Sequence, residues 1–213
     1  MARKDTLQKV VVFALTFFAY AGLHCLREGW SYSKPEITKA FPKITTTQLG
    51  IVDTCYLVSY SFGMATIGNL SSKVNLKYFI AGGMVLSTIF YMSFSFYYLI
   101  SHAFSYAFLI VVMCLNGFFQ STGWPGVMAV AGNWFGKGKR GLLMGFWAIN
   151  ANVGNIIASV LCNILEEEEH LAWTYNFFFT GGFALLVAIL ILFFLQEKPS
   201  REHKIPLRET LTE

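Results

Sequence analysis

The stretch VVVFALTFFAYAGLHCLREGW, from Val10 to Trp30, decides the fold of this chain. At about 1.5 Å of rise per residue it crosses the roughly 30 Å hydrocarbon core of a bilayer as one helix. It also carries Arg27. A guanidinium stays charged at any physiological pH, so inside an apolar helix it faces a polar cavity or holds an anion. The stretch therefore predicts a membrane helix with one face turned towards polar chemistry, which points to a transport-type role.

Working outward, five further apolar runs follow, near Leu49–Leu70, Tyr78–Ile100, Tyr106–Val130, Leu142–Leu165 and Trp173–Leu195. Hydrophobic residues make up 55% of the 213 and charged residues 13%, more apolar surface than a soluble domain of this size can bury. The expectation is an all-α integral membrane protein, a six-transmembrane-helix bundle over residues 10–195. It is preceded by an N-terminal segment, 1–9, and followed by a polar tail, 196–213, with Pro199 and Pro206. Connections are short except Ser31–Thr47, which contains Pro35 and Pro42 and reads as a loop.

The basic residues orient the bundle. Alternate connections give one side Arg3, Lys4, Lys9, Lys73, Lys77, Lys137, Lys139, Arg140, Lys198, Arg201, Lys204 and Arg208, and the other only Lys34, Lys39 and Lys43. The positive-inside rule puts both termini on the inner side. The acidic run Glu166–Glu169 falls outside, where it says little about topology and reads as a solvated loop.

Several function classes find no support. Cys25, Cys55, Cys114 and Cys162 lie in apolar runs without metal-ligand spacing and read as small buried hydrophobes. No cofactor fingerprint, metal cluster or nucleophile–base pair is present, so neither an enzyme, a cofactor nor a nucleic-acid partner is expected. The basic start ahead of an apolar run fits a signal peptide only superficially, because no small-residue cleavage pattern follows.

Polar residues inside the spans are the candidate site. Tyr20, His24 and Arg27 are spaced four and three apart and share roughly one helical face. His24 reads equally as a buried imidazole, and Tyr20 as core packing. Asp53 is the sole carboxylate between Leu49 and Leu70; it either neutralises Arg27 or caps a polar cavity, since a buried charge needs a partner. Gln120 and Trp124 precede Pro125, which should bend the fourth helix by removing a backbone donor. Gly141-x-x-x-Gly145 and Gly154-x-x-x-Ala158 allow close helix contact in the fifth, where Asn150, Asn152 and Asn155 add polar atoms. The loop Gly132–Gly141 is Gly-rich and carries Lys137, Lys139 and Arg140, positioned for lipid head groups or carboxylates.

These residues resemble one family. The loop Gly132–Gly141, the block from Asn116 to Pro125 before it, and Leu142–Trp147 through Val153-Gly154-Asn155 after it are similar to the sugar-phosphate exchanger branch (solute carrier family 37). That branch belongs to the organophosphate:phosphate antiporters of the major facilitator superfamily. The likeness continues through Leu49–Asp53, Lys73–Phe79 and the Tyr20, His24, Arg27 spacing. It implies one half, the N-terminal six helices, of a twelve-helix transporter. It further implies that Arg27 contacts a phosphoryl group, with His24 and Tyr20 nearby, and that Asp53, Gln120, Trp124 and Asn150 line the cavity.

The sequence departs from the family at three places. Glu28 stands where a lysine follows the arginine, Asn150 and Ala151 stand where a histidine is expected, and Ser72 replaces an acid in the loop holding Lys73 and Lys77. Together with the half-length chain, these favour a transport-degenerate accessory subunit of a larger membrane assembly, whose partners would be lipids and other membrane subunits. The alternative is a half-size transporter pairing with itself or a sister chain to exchange phosphate and organophosphates; a third reading is part of a full-length exchanger. Endoplasmic reticulum and mitochondrial inner membrane both fit the short basic start.

Overall fold

A computed structural model describes residues 2–135, 140–163 and 172–199. Its elements are α1 (Ala2–Ala40), α2 (Thr46–Ile67), a 3-10 turn (Gly68–Ser72), α3 (Leu76–Ser101) and α4 (Tyr106–Gln120), followed by α5 (Gly123–Trp134), α6 (Arg140–Trp147), α7 (Asn150–Asn163) and α8 (Ala172–Phe194). Among the described residues there is no strand. Local chemistry sets the ends. Thr45 accepts from the Gln48 amide at 3.2 Å while Gln48 accepts from the Thr45 amide at 2.9 Å, a reciprocal cap for α2. Asn75 caps α3 through Lys77 and Tyr78, and Ser105 caps α4 through Phe108. His102 ends α3 in the left-handed region at φ 51.

Three of the runs differ from the sequence reading. The stretch Ser31–Thr47, read as a connection, is helical to Ala40. Pro35 costs α1 one backbone bond, but Ser33 and Ile37 are fully buried on its inner face. The Ser33 hydroxyl donates to the Gly29 carbonyl at 2.8 Å, and Pro35 itself lies on the exposed side. Packing thus overrides the proline. The fourth run is split into α4 and α5 at Ser121–Thr122, four and three residues before Pro125, where the proline ring excludes the continuing backbone bond. The fifth run is split at Ala148–Ile149, where the Asn150 amide donates to the Trp147 carbonyl.

α1 is central, packed against α7 and α8; α2 lies on α4, and α3 on α8 and α4. An aromatic core of Tyr91, Phe94, Trp173 and Phe177 joins α3 to α8, with Tyr91 and Phe177 stacked at 4.4 Å between ring centres. Phe41 meets Tyr98 and Trp173 at one end of the bundle. At the other end, Phe13 meets Phe135, and Trp134 and Asn133 donate to the Gln196 and Glu197 carbonyls. There the Glu197 carboxylate accepts from the Leu76 amide at 2.8 Å, tying the segment after α8 to the start of α3.

Among the described residues five helices are long and apolar enough to cross a membrane: Thr6–Ala40, Leu76–Ser101, Tyr106–Trp134, Leu143–Asn163 and Trp173–Phe194. No more than 50% of any of these apolar windows is buried within the chain. Phe62, Ile89, Phe96, Ile156, Phe179 and Phe193 project outward. Surface of that kind is stable against lipid, so the chain is an integral membrane protein. α2, at 22 residues, is long enough but less apolar, because Asp53 and several hydroxyl residues interrupt it.

Candidate functional site

The site is assembled where α2 comes unusually close to α4. Gly117 makes this possible: a Cβ there would sit 2.6 Å from the Tyr56 carbonyl oxygen and 3.0 Å from its ring. The approach buries Tyr56 and brings its hydroxyl to Gln120 Oε1. Arg27 Nε, from α1, donates to the same oxygen. One amide therefore orients a tyrosine and a guanidinium together, and its own Nε2 is buried without a partner among the described residues.

The Arg27 charge is met by aromatic faces. Its guanidinium carbon lies 4.7 Å from the Tyr60 ring centre and 5.5 Å from that of Tyr56. Such contacts contribute about 1–2 kcal/mol each where water is scarce, well short of neutralising a buried cation. Among the described residues no carboxylate lies within 4 Å of it. Asp53 does not pair with Arg27. It accepts from Lys34 Nζ at 2.6 Å and from Trp30 Nε1 at 2.6 Å. A cavity of about 280 Å³ between α1, α2 and α4 is lined by Arg27, Lys34, Asp53, Tyr56 and Asn116, among others. Its lining offers the forked donors of Arg27, which suit an oxyanion, with the Lys34–Asp53 pair on the same wall.

The other sequence candidates divide. Tyr20 packs on His24, Trp124 and Trp147 with ring centres 5.1, 5.6 and 5.4 Å away. They form an aromatic group beside the cavity that holds Arg27 and do not line it. Asn150 is buried and committed to the helix break at Trp147. Lys73 and Lys77 flank the start of α3 at the Glu197 end of the bundle. Lys137 and Lys139 lie outside the described residues, as does the side chain of Arg140 at the start of α6. Sequence reading missed Tyr56, Tyr60 and Trp147. The signal for the first two was there: Asp53, Tyr56 and Tyr60 fall at i, i+3 and i+7 and share one face of α2, as Tyr20, His24 and Arg27 do on α1.

Glu28 lies on a different side of α1. A step of one residue turns a helix by about 100°, and Glu28 lines a second cavity with Tyr32, Glu36, Cys162 and Asn176 between α1, α7 and α8. Glu28 and Arg27 thus line different cavities, which adjoin at Ser31.

A bundle of apolar helices around a cavity with an embedded arginine defines a polytopic transporter-type membrane protein. The chain belongs to the major facilitator superfamily, whose model matches residues 9–212. Within it the chain is similar to sugar-phosphate exchangers over an N-terminal half. It is 38% identical to the glucose-6-phosphate exchanger SLC37A2 of Danio rerio over 222 residues, covering 92% of this chain and 44% of that protein. It is 36% identical to the Homo sapiens protein of the same name (92% and 43%). It is 33% identical to the putative glycerol-3-phosphate transporter 5 of Arabidopsis thaliana (92% and 42%). The chain thus spans less than half the length of these relatives. Among solved structures, a bacterial homolog of the human lysosomal transporter Spinster, inward-facing and unoccupied, superposes with a TM-score of 0.71 at 15% identity, covering 95% of this chain and 47% of that one. That likeness is one of fold.

Proposed function

We propose that this chain supplies one bundle, and half of the phosphoryl-binding site, of a protein exchanging phosphate and phosphorylated metabolites. The observation that carries this reading is Arg27, held by Gln120 and two tyrosine faces with no carboxylate against it among the described residues. A cation placed at that cost in an apolar setting is stabilised by a bound anion. Relatives named as exchangers of glucose-6-phosphate support a phosphoryl group as that anion. Tyr20, His24 and Trp124, beside that cavity and outside its lining, would meet the substrate only where it extends past Arg27. The other half of the site would come from a second bundle, whether a further part of the same protein, a second copy or a sister chain, because alternating access needs two bodies to rock.

The reading includes six membrane spans, α2 being one whose Ile51, Leu57, Val58 and Phe62 face outward, and both termini on the inner side. Lys73, Lys77 and Lys198 support that orientation, at the end opposite Lys34, Lys39 and Lys43. An intracellular membrane, endoplasmic reticulum or mitochondrial inner membrane, suits charged metabolites made within the cell.

A second reading, an accessory subunit in which the same cavity holds a lipid phosphate against a partner, draws on Asn150. Asn150, one of the two residues standing where the family's histidine is expected, is tied to the Trp147 carbonyl and carries no titratable group. Uptake of radiolabelled inorganic phosphate into vesicles preloaded with phosphate, made from membranes that carry the protein, separates the two. Exchange is expected to fall to background in Arg27→Ala and by at least about tenfold in Arg27→Lys, which keeps the charge but loses the fork. Unchanged exchange in Arg27→Ala, with normal protein levels, rejects the exchanger reading.

A further inference from the structure

The face of α1 that carries Arg27 continues towards Ala40. Trp30 and Lys34 follow at i+3 and i+7, and seven residues rise about 10 Å along a helix while returning to nearly the same side. Asp53 and Tyr56 stand opposite on α2, and all five residues line the cavity of about 280 Å³. Lys34 is placed there without being used up. Its Nζ lies 2.6 Å from Asp53 Oδ2 and 5.6 Å from the Trp30 ring centre, and its side chain is 27% exposed. Trp30 Nε1 donates to Asp53 Oδ1 at 2.6 Å, so each carboxylate oxygen already has a donor. An ammonium has three N–H bonds, and one serves Asp53. The other two have no acceptor among the described residues. Two cations, Arg27 and Lys34, thus share the cavity with one carboxylate, which leaves it positively charged.

We propose that Lys34 is a second cation of the Arg27 site, and that with it the cavity selects a phosphate monoester, doubly charged, over a phosphodiester, singly charged. The inference rests on the reading of Arg27 as an anion ligand and adds to it the charge that the anion must carry. Two long side chains two helical turns apart on one face close around a tetrahedral group between them. Arg27 then gives its fork to one side of the phosphoryl group, and Lys34 gives its spare N–H bonds to the other while staying on Asp53. The second negative charge of a monoester is matched by the second cation; a diester leaves Lys34 without a counterpart. The same count bears on the source of the phosphate, because the headgroups of most phospholipids are diesters, whereas phosphorylated metabolites and phosphatidic acid are monoesters.

The test is binding, read as Tm of the whole chain in a neutral, phosphate-free detergent at about pH 8, well above the second pKa of a monoester near 6. Methyl phosphate, dimethyl phosphate and short-chain phosphatidic acid are titrated at constant ionic strength. Wild type should show a saturable rise with a monoester, half-saturating at least about tenfold below dimethyl phosphate. A response to methyl phosphate identifies a soluble monoester as the source, and a response to phosphatidic acid alone identifies a lipid. In Lys34→Met, half-saturation by the monoester should move at least about tenfold higher, as for a lost charge-assisted bond, and that by dimethyl phosphate less than about threefold. Lys34→Arg, which keeps the charge, should bring the monoester preference back. Lys34→Gln makes the same comparison if Lys34→Met does not fold. Equal monoester half-saturation in wild type and the neutral variant, with the response lost in Arg27→Ala, overturns this inference and leaves the reading of Arg27 standing. A response unchanged in Arg27→Ala, or no saturable rise in wild type, overturns both.

Discussion

Gln120 holds the site together, because its single carbonyl oxygen satisfies both Arg27 and Tyr56. Gln120→Leu keeps the volume and removes the acceptor, leaving a guanidinium nitrogen and a phenol buried without it. The expected loss is about 2–4 kcal/mol, since an unmatched donor costs about 1–3 kcal/mol and a charged one more. A thermal melt in detergent should put this variant well below wild type, whereas Lys34→Met should shift little. The Lys34–Asp53 pair is about a third exposed on each side, and Asp53 keeps its bond from Trp30, so about 1 kcal/mol or less is at stake. An equal fall in both variants contradicts this division. Arg27 and Gln120 were legible in the sequence because charge and amide groups are rare in apolar runs. Tyr56 and Tyr60 carry only a weaker signal, their i+3 and i+7 spacing from Asp53, because aromatic residues on a half-buried helix also look like core. The partner of Asp53 was hidden for a different reason: the apolar run ends at Trp30 and Ser31–Thr47 reads as a connection, so only the continuation of α1 to Ala40 brings Lys34 to face α2.

At the scale of the helix, small residues matter by what stands opposite them. Two pairs in the fifth run looked alike in sequence, and they behave differently. Gly154 packs directly on the Ala21 carbonyl, with a Cβ there also 3.0 Å from His24 Cβ, and Ala158 is fully buried on the same seam between α1 and α7. Gly141 and Gly145 meet nothing within 4 Å. Sequence spacing reveals that a close approach is permitted, but which approach is used depends on a neighbour fixed only by the tertiary fold. Gly154→Val should therefore push α7 off α1 and destabilise by about 1–3 kcal/mol, the usual cost of overpacking. Gly145→Val should melt within about 0.5 kcal/mol of wild type, as for surface changes generally. Thermal melts of the two variants side by side read this contrast, and equal destabilisation would show that α6 is packed after all. Because Gly154 sits against His24, the same displacement would spread the aromatic group around Tyr20 while leaving Gln120 untouched.

For the molecule as a whole, the open question is how the bundle sits in its membrane, and the ends of the helices supply the argument. One end gathers Lys73 and Lys77 with the Gln196–Glu197 segment; the other carries Lys39 and Lys43 beside the Phe41, Tyr98 and Trp173 contact. Connections on the first side hold twelve of the sixteen basic residues and those on the second hold three. Basic residues near span ends are retained on the inner side, so the bias predicts that both termini and the Lys73 connection face inward. Ser72 and Lys43 are exposed and flank spans at opposite ends. In a background where the four native cysteines are serine, Ser72→Cys should resist a membrane-impermeant maleimide in sealed, right-side-out vesicles and react once they are opened. Lys43→Cys should react in both. The reverse pattern would invert the bundle, and reaction of both in sealed vesicles would mean an odd number of spans between residues 43 and 72 does not hold, removing α2 from the membrane-crossing set. The experiment thus bears on the sixth span as well as on orientation, because α2 is the element whose Asp53, hydroxyls and glycines keep its apolar character below that of the other five.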